Sequence, residues 1–265
     1  MKQKKLTDYR VLTFDVYGTL IDWESGIIEA LAPALGRDVE GLTRRKILET
    51  VHELEAAQQA AHPDMLYADV LAAIYPRLVA RLTGGGTPPE EESDNNDNNN
   101  SEEAAAAARA FGASVARWPA FPDTVGALRR LGRHYKLVVL SNVDRTSFSG
   151  TNAGPLGGVE FDMILTAQDI GSYKPSLDNF RYMLGKVEEA AFGAGGGDVL
   201  QTAQSQWHDH LPARQVGGIG SAWIVRPGAI MGNVAEGEEV WDFKFDTLSD
   251  MADAVERELA ESKSL

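Results

Sequence analysis

The sequence predicts an α/β fold: a parallel sheet with helices on both faces and a helical subdomain inserted after the first strand. Three observations carry this. From Trp118 onward, short apolar β-rich segments alternate with helical stretches, which is the pattern of βαβ units. One further apolar segment, residues 11–16, stands far upstream of the others, so the chain between must leave the sheet and return. A chain of 265 residues, 43% of them apolar, is long enough for a large core with a smaller insertion.

Taken in order, Val11-Leu-Thr-Phe-Asp-Val16 reads as a buried strand and Gly18 as the turn behind it. Residues 23–82 are helical in pattern. Leu42, Leu48, Val51 and Leu54 recur at three- and four-residue spacings, as do Leu66, Val70, Leu71, Ile74, Leu78 and Leu82. Composition then collapses over 84–100, from Gly84-Gly-Gly-Thr-Pro-Pro to the Asn-rich run ending at Asn100. That stretch is expected to be a disordered acidic insertion without a catalytic part. Residues 102–116 are Ala-rich and helical, with acidic residues at the start where the helix dipole favours them. Strands are expected at 136–140, 163–166, 198–202 and 222–225, with helices at 124–131, 177–191 and 211–216. The Gly193-Ala-Gly-Gly-Gly197 run reads as a connection, because no Lys-Ser/Thr follows to open a phosphate-binding helix. The result is a Rossmann-like core of residues 1–22 and 118–265, with 23–117 forming a helical cap.

Charge and composition exclude several classes. The 25 Lys+Arg against 39 Asp+Glu leave a net charge of −14, which argues against nucleic acid or an anionic membrane as partner. There is no cysteine, so disulfides, thiolate metal sites and cysteine nucleophiles are absent. No apolar run approaches the ~18–20 residues that span a bilayer. The basic start, Met1-Lys-Gln-Lys-Lys5, is not followed by an apolar segment, so a secretory signal is not expected. The expectation is a cytoplasmic protein with a small-molecule substrate, a homodimer being one arrangement the sequence admits.

In open parallel sheets the ligand crevice lies beyond the carboxyl ends of the strands. Each predicted strand end delivers polar residues there. These are Asp15 with Tyr17-Gly18-Thr19, then Ser141-Asn142, then Tyr173-Lys174-Pro175, and last Gln204-Ser205-Gln206 with His208-Asp209-His210. These segments match a family. Phe14-Asp-Val-Tyr-Gly-Thr-Leu20 resembles the first motif of the haloacid dehalogenase-like hydrolase superfamily. Ser141-Asn142 resembles its second motif, Lys174-Pro175 its third, and the segment around Asp209 its fourth. The wording Asp-Val-Tyr-Gly-Thr-Leu-Ile-Asp is most similar to the (S)-2-haloacid dehalogenase (type II) branch.

The resemblance implies roles. Asp15 would be the nucleophile, forming an ester that water later cleaves. Thr19 would hold its carboxylate, and Lys174 would neutralise and orient it. Asp209 would activate the hydrolytic water. Tyr17, Ser141, Asn142, Ser205 and Gln206 would contact the substrate. Similar dehalogenases use an arginine of the first long cap helix. Here Arg44 is chosen over Arg45, because it shares a stripe with Leu48 and Val51.

Two departures separate dehalogenase from phosphatase. Family phosphatases carry an aspartate two residues after the nucleophile to protonate the leaving alkoxide. Tyr17, with a reference pKa of ~10, is no matched acid near neutrality. A halide leaves without a proton. The aspartate that helps phosphatases hold Mg²⁺ is replaced by Gln204, a poorer ligand. The expected function is metal-free hydrolysis of short 2-haloacids, with no cofactor. The alternatives are a Mg²⁺-dependent small-metabolite phosphatase and a catalytically silent binding protein. His208 and His210 are read as neighbours of Asp209 and not as metal ligands. Phe180 is read as packing, Trp23 and Trp207 as core packing with the wall of an apolar substrate pocket as the alternative, and Gln204 as a rim amide.

Overall fold

The computed structural model describes residues 4–36, 42–84, 98–192, 197–233 and 239–263. Residues 85–97 of the expected insertion and 193–196 of the glycine-rich connection lie outside them. Asn98–Asn100, expected to close that insertion, instead open a helix.

Six parallel strands form one sheet in the order β3-β2-β1-β4-β5-β6. They are β1 (Val11–Phe14), β2 (Lys136–Ser141), β3 (Met163–Thr166), β4 (Val199–Ala203), β5 (Ile219–Ile224) and β6 (Phe243–Phe245). β1 is central: Phe14 lies opposite Val139 of β2 and Thr202 of β4. Every residue of β1 and β4 is buried, as expected for strands covered on both faces. β6 was not expected. Three residues are too few to show a period, and only pairing with β5 reveals the strand.

The helices are α1 (Trp23–Leu35), α2 (Arg44–Ala61), α3 (Tyr67–Leu82), α4 (Asn98–Gly112), α5 (Thr124–Leu131), α6 (Arg145–Ala153), α7 (Ala167–Ile170), α8 (Leu177–Glu189), α9 (Leu211–Val216) and α10 (Leu248–Lys263). Alternation along the strands assigns the faces. Leu12, Phe14 and Val139 pack with Leu128 and Leu131 of α5 and with Leu248, Met251 and Val255 of α10. Val11, Val138 and Leu140 pack with Phe180, Met183 and Val187 of α8 and Ala213 of α9. Phe180 is therefore a core side chain, as read from the sequence.

α1 to α4 stand between β1 and β2 in the chain. Their apolar stripes, including Ile27, Leu31, Val51, Leu54, Leu71 and Ile74, continue the core cluster of the α5–α10 face. Each fully buried side chain of this size contributes about 1.5–3 kcal/mol. Asp22 caps α1 by accepting from the Ser25 amide at 3.0 Å, and Thr43 caps α2. At Gly26 an added Cβ would lie 2.3 Å from Cγ of Trp118. Gly26→Ala is expected to lower stability by about 1–3 kcal/mol through this overpacking, despite its better helix propensity. Gly126 of α5 meets open space, so Gly126→Ala is expected to raise stability by up to about 1 kcal/mol. Urea unfolding of the two variants checks both signs.

Candidate active site

The carboxyl ends of β1, β2 and β4 meet at a cavity of about 910 Å³ between the sheet and α2 and α3. Asp15 follows β1 directly. Behind it Leu20 N and Ile21 N both donate to Val16 O, at 2.8 and 2.9 Å. Gly18 completes the turn at φ +100°, where a Cβ would also press on the Trp23 ring at 3.2 Å. This tight turn folds Thr19 back onto Asp15, and Thr19 Oγ1 donates to Asp15 Oδ2 at 2.7 Å. The same hydroxyl accepts from Gln204 N at 2.9 Å, so its proton is directed at the carboxylate.

Lys174 supplies the opposing charge. Its Nζ donates to Asp15 Oδ1 at 2.9 Å, to Leu140 O at 3.0 Å and to Asp209 Oδ1 at 2.7 Å. All three ammonium protons are thus used, and the side chain is almost wholly buried. Burial works against its charge, but Asp15 and Asp209 outweigh it and raise its pKa above the ordinary value. Asp209 sits in a single π-helical turn, Gln206–His210, between β4 and α9. Its Oδ1 accepts from both Lys174 and Gln201 Nε2, the latter at 2.9 Å. Its Oδ2 is buried with no hydrogen-bond partner. Burial raises the Asp209 pKa, Lys174 opposes that, and Asp15 adds to it.

Asp15, Tyr17, Ser141, Asn142, Lys174, Ser205 and Asp209 all line the cavity. Thr19 is buried just behind Asp15. Tyr17 Oη bonds Thr151 Oγ1 at 2.9 Å. Burial holds the Tyr17 phenol well above its ordinary pKa, so it stays neutral. Ser141 Oγ is buried and unpartnered. Ser205 Oγ accepts from His208 N at 3.1 Å and pairs with His208 Nδ1 at 3.1 Å. Burial, then Lys174, lowers the His208 pKa to about 4, so this imidazole on the cavity wall is neutral near pH 7.

Two expectations, Arg44 and Gln206, need correction. Arg44 does not line this cavity. Its guanidinium turns to the acidic start of α1, 3.3 Å from Glu24 and 3.8 Å from Asp22, and lines a separate hollow of about 220 Å³. The attraction of two carboxylates at a helix N-terminus outweighs the stripe that pairs Arg44 with Leu48. Asn142 lines the cavity while its amide is also tied to the lysine's backbone: Nδ2 donates to Lys174 O at 2.9 Å and Oδ1 accepts from Lys174 N at 2.7 Å. Gln206 is buried and absent from the cavity lining, its backbone N donating to Gly232 O at 2.9 Å. The π turn directs it inward.

His210 also faces the interior, between Ser221 Oγ and Ala203 O. Burial lowers its pKa to about 4, and a neutral imidazole shared between two protein atoms is structural. Gln204 Nε2 donates to Met231 O at 2.9 Å and Asn233 Oδ1 at 3.2 Å, tying the loop after β5 to the rim. Trp23 and Trp207 line the cavity, the alternative to plain core packing that the sequence offered for them.

Sequence reasoning missed the wall that α2 and α3 provide. His52, Glu55 and Gln59 line the cavity with Ala56 and Ala60, a stripe spaced by three and four residues along α2. That polar stripe beside the apolar one was a readable signal. Glu55 accepts a hydrogen bond from Tyr67 Oη of α3 at 2.7 Å. Burial raises the Glu55 carboxyl to about 7 against that bond.

The arrangement presents one carboxylate gripped by a hydroxyl and an ammonium, with a second carboxylate on the same ammonium. A family model described as haloacid dehalogenase-like hydrolase matches residues 9–194. No curated protein matches this sequence. Among solved structures, the chain resembles the defluorinating L-2-haloacid dehalogenase Rha0230, at 18% identity over 94% of this chain and 97% of that one, with a TM-score of 0.69. It resembles the L-2-haloacid dehalogenase from Xanthobacter autotrophicus at 21% identity over 94% and 98%, TM-score 0.64. It also resembles the magnesium-bound putative hydrolase YfnB from Bacillus subtilis at 16% identity over 96% and 100%, TM-score 0.64. At such identities the structural matches speak for the fold. The family model spans well over half of the chain, including β1 to β3, Asp15 and Lys174, and the chain belongs to the haloacid dehalogenase-like hydrolases.

Proposed function

We propose that this hydrolase breaks carbon–halogen bonds through an ester on Asp15, with 2-haloacids as its smallest substrates and without a metal. One Asp15 oxygen attacks the carbon bearing the halogen, the C–O bond forms as the C–X bond breaks, and halide leaves with the bonding pair. Water then adds to the ester carbonyl. The bond from the Asp15 carbonyl carbon to the ester oxygen then breaks, so the hydroxylated product leaves with the former Asp15 oxygen and Asp15 regains a carboxylate with one oxygen from water. Lys174 and Thr19 orient Asp15 in both steps. Asp209, through its unpartnered Oδ2, takes the proton of the attacking water.

The observation that carries this reading is the neutral, buried phenol of Tyr17 beside Asp15, where a phosphate ester would need an acid for its leaving group. A halide needs none. The donor set also does not fit Mg²⁺. Asp15 and Asp209 share the Lys174 ammonium, and the Gln204 amide is tied to the loop after β5. Magnesium requires several hard oxygens in octahedral array. In this reading residues 1–22 and 118–265 are the catalytic core, and residues 23–117 are a cap that shields the ester from bulk water.

A single turnover of 2-chloropropionate in heavy-oxygen water tests the route. The label is expected in the Asp15 peptide by mass spectrometry, with halide release unchanged by EDTA. Phosphate release from p-nitrophenyl phosphate that EDTA abolishes, with no label on Asp15, would favour the phosphatase.

A further inference from the structure

The cavity is several times larger than a two- or three-carbon acid requires, and its far wall has a definite chemistry. Among the described residues, Lys174 is the lone Lys or Arg on the lining, and all of its protons are taken by Asp15, Asp209 and Leu140 O. The wall given by α2 and α3 carries instead a carboxyl group, Glu55, held by Tyr67. The rings of Tyr17, Tyr67 and Tyr173 line the same space. Their hydroxyls are turned to protein partners: Tyr67 to Glu55, Tyr17 to Thr151, and Tyr173 to Met65 O at 2.7 Å. What they offer the cavity is aromatic surface. A carboxylate among aromatic faces is a setting that attracts ammonium groups, by charge and by the ring quadrupole, and it repels a second acid.

We propose that Glu55, with the tyrosine rings around it, binds a protonated amine at the end of the substrate remote from the carbon that Asp15 attacks. The substrate class is then an extended, amine-bearing organohalide. The place of its scissile carbon rests on the reading of Asp15 above. Burial in the open cavity raises the Glu55 pKa to about 7, and an ammonium partner would return the group to its ionised form, the direction a cation site requires. The net charge of −14 adds a favourable field for a cation.

The test compares ω-amino-2-chloroalkanoates of increasing chain length with their N-acetyl counterparts, which keep the length and lose the charge. Halide release by the wild type is expected to favour the amines at the best length by about tenfold or more in kcat/KM. Glu55→Gln, which keeps the acceptor for Tyr67, is expected to bring that ratio close to one. Calorimetry with the halogen-free ω-aminoalkanoates and their N-acetyl forms repeats the comparison without chemistry, and the wild-type arm needs no variant. Equal release from both series, or a preference that survives in Glu55→Gln, overturns the amine site while leaving the Asp15 reading intact. No halide from either series, together with tighter amine binding that Glu55→Gln removes, sustains the amine site and overturns the reading of Asp15.

Discussion

Asp15→Asn is expected to reduce halide release on the order of 10⁴-fold or more, because an amide is a poor nucleophile and cannot form the ester. The fold should survive. Asparagine keeps an oxygen and an NH₂ of nearly the same shape beside Thr19 Oγ1 and Lys174 Nζ, now 2.7 and 2.9 Å from the carboxylate. The ammonium also retains Asp209 and Leu140 O, so no buried charge is orphaned. Circular dichroism and urea midpoints near the parental values, with turnover lost, are the expected pair of results. Halide released by the variant at the parental rate would end the covalent mechanism.

Lys174→Met should be worse for the molecule as a whole. Activity is lost, and about 3–5 kcal/mol of stability goes with it, since removing one member of a buried ion group strands the others. Here two carboxylates are stranded, one of them fully buried. Burial already raises the Asp209 pKa with Lys174 present, and Lys174 holds it down. Without the lysine the folded-state pKa climbs further above the unfolded value. A carboxyl group with a raised folded pKa favours folding below its unfolded pKa and loses that contribution as pH rises through the folded one. The deficit of Lys174→Met relative to the parent should therefore be largest near pH 8 and shrink toward pH 4. Adding Asp209→Asn should restore part of the stability at pH 8 and none of the activity. Urea titrations across this range measure both effects, and a deficit that grows on acidification would contradict the buried triad.

The motif segments were legible for a local reason. Asp15, Ser141, Lys174 and Asp209 each stand at or shortly after a strand end, and strands announce themselves by short buried runs within a few residues of sequence. The Asp15–Thr19 bond likewise closes over four residues, within reach of a local turn. Helices α5 and α9 fell where the pattern put them, because their apolar spacing and the polar breaks at their ends are local features.

Arg44 shows where such reading stops. Its helical stripe is a fact of the sequence, yet its partner is chosen by the distance between α2 and the first turn of α1. Asn142 was recognised at a strand end, but whether its amide faces a substrate or the backbone of Lys174 depends on a loop more than thirty residues away. Glu55 lay in plain sight on α2, and only the packing of α2 over the sheet turns it toward Asp15's cavity and away from solvent.

By itself, then, the sequence determined the alternation of strand and helix, the family, and the residues delivered to the strand ends, since hydrogen-bonded period and turn chemistry act over a few residues. The tertiary structure alone decided which carboxylates share one ammonium, which cation stays outside, and what lines the far wall. Those outcomes depend on burial and on distances between elements remote in the chain, where charge and desolvation are set by neighbours that no local pattern names.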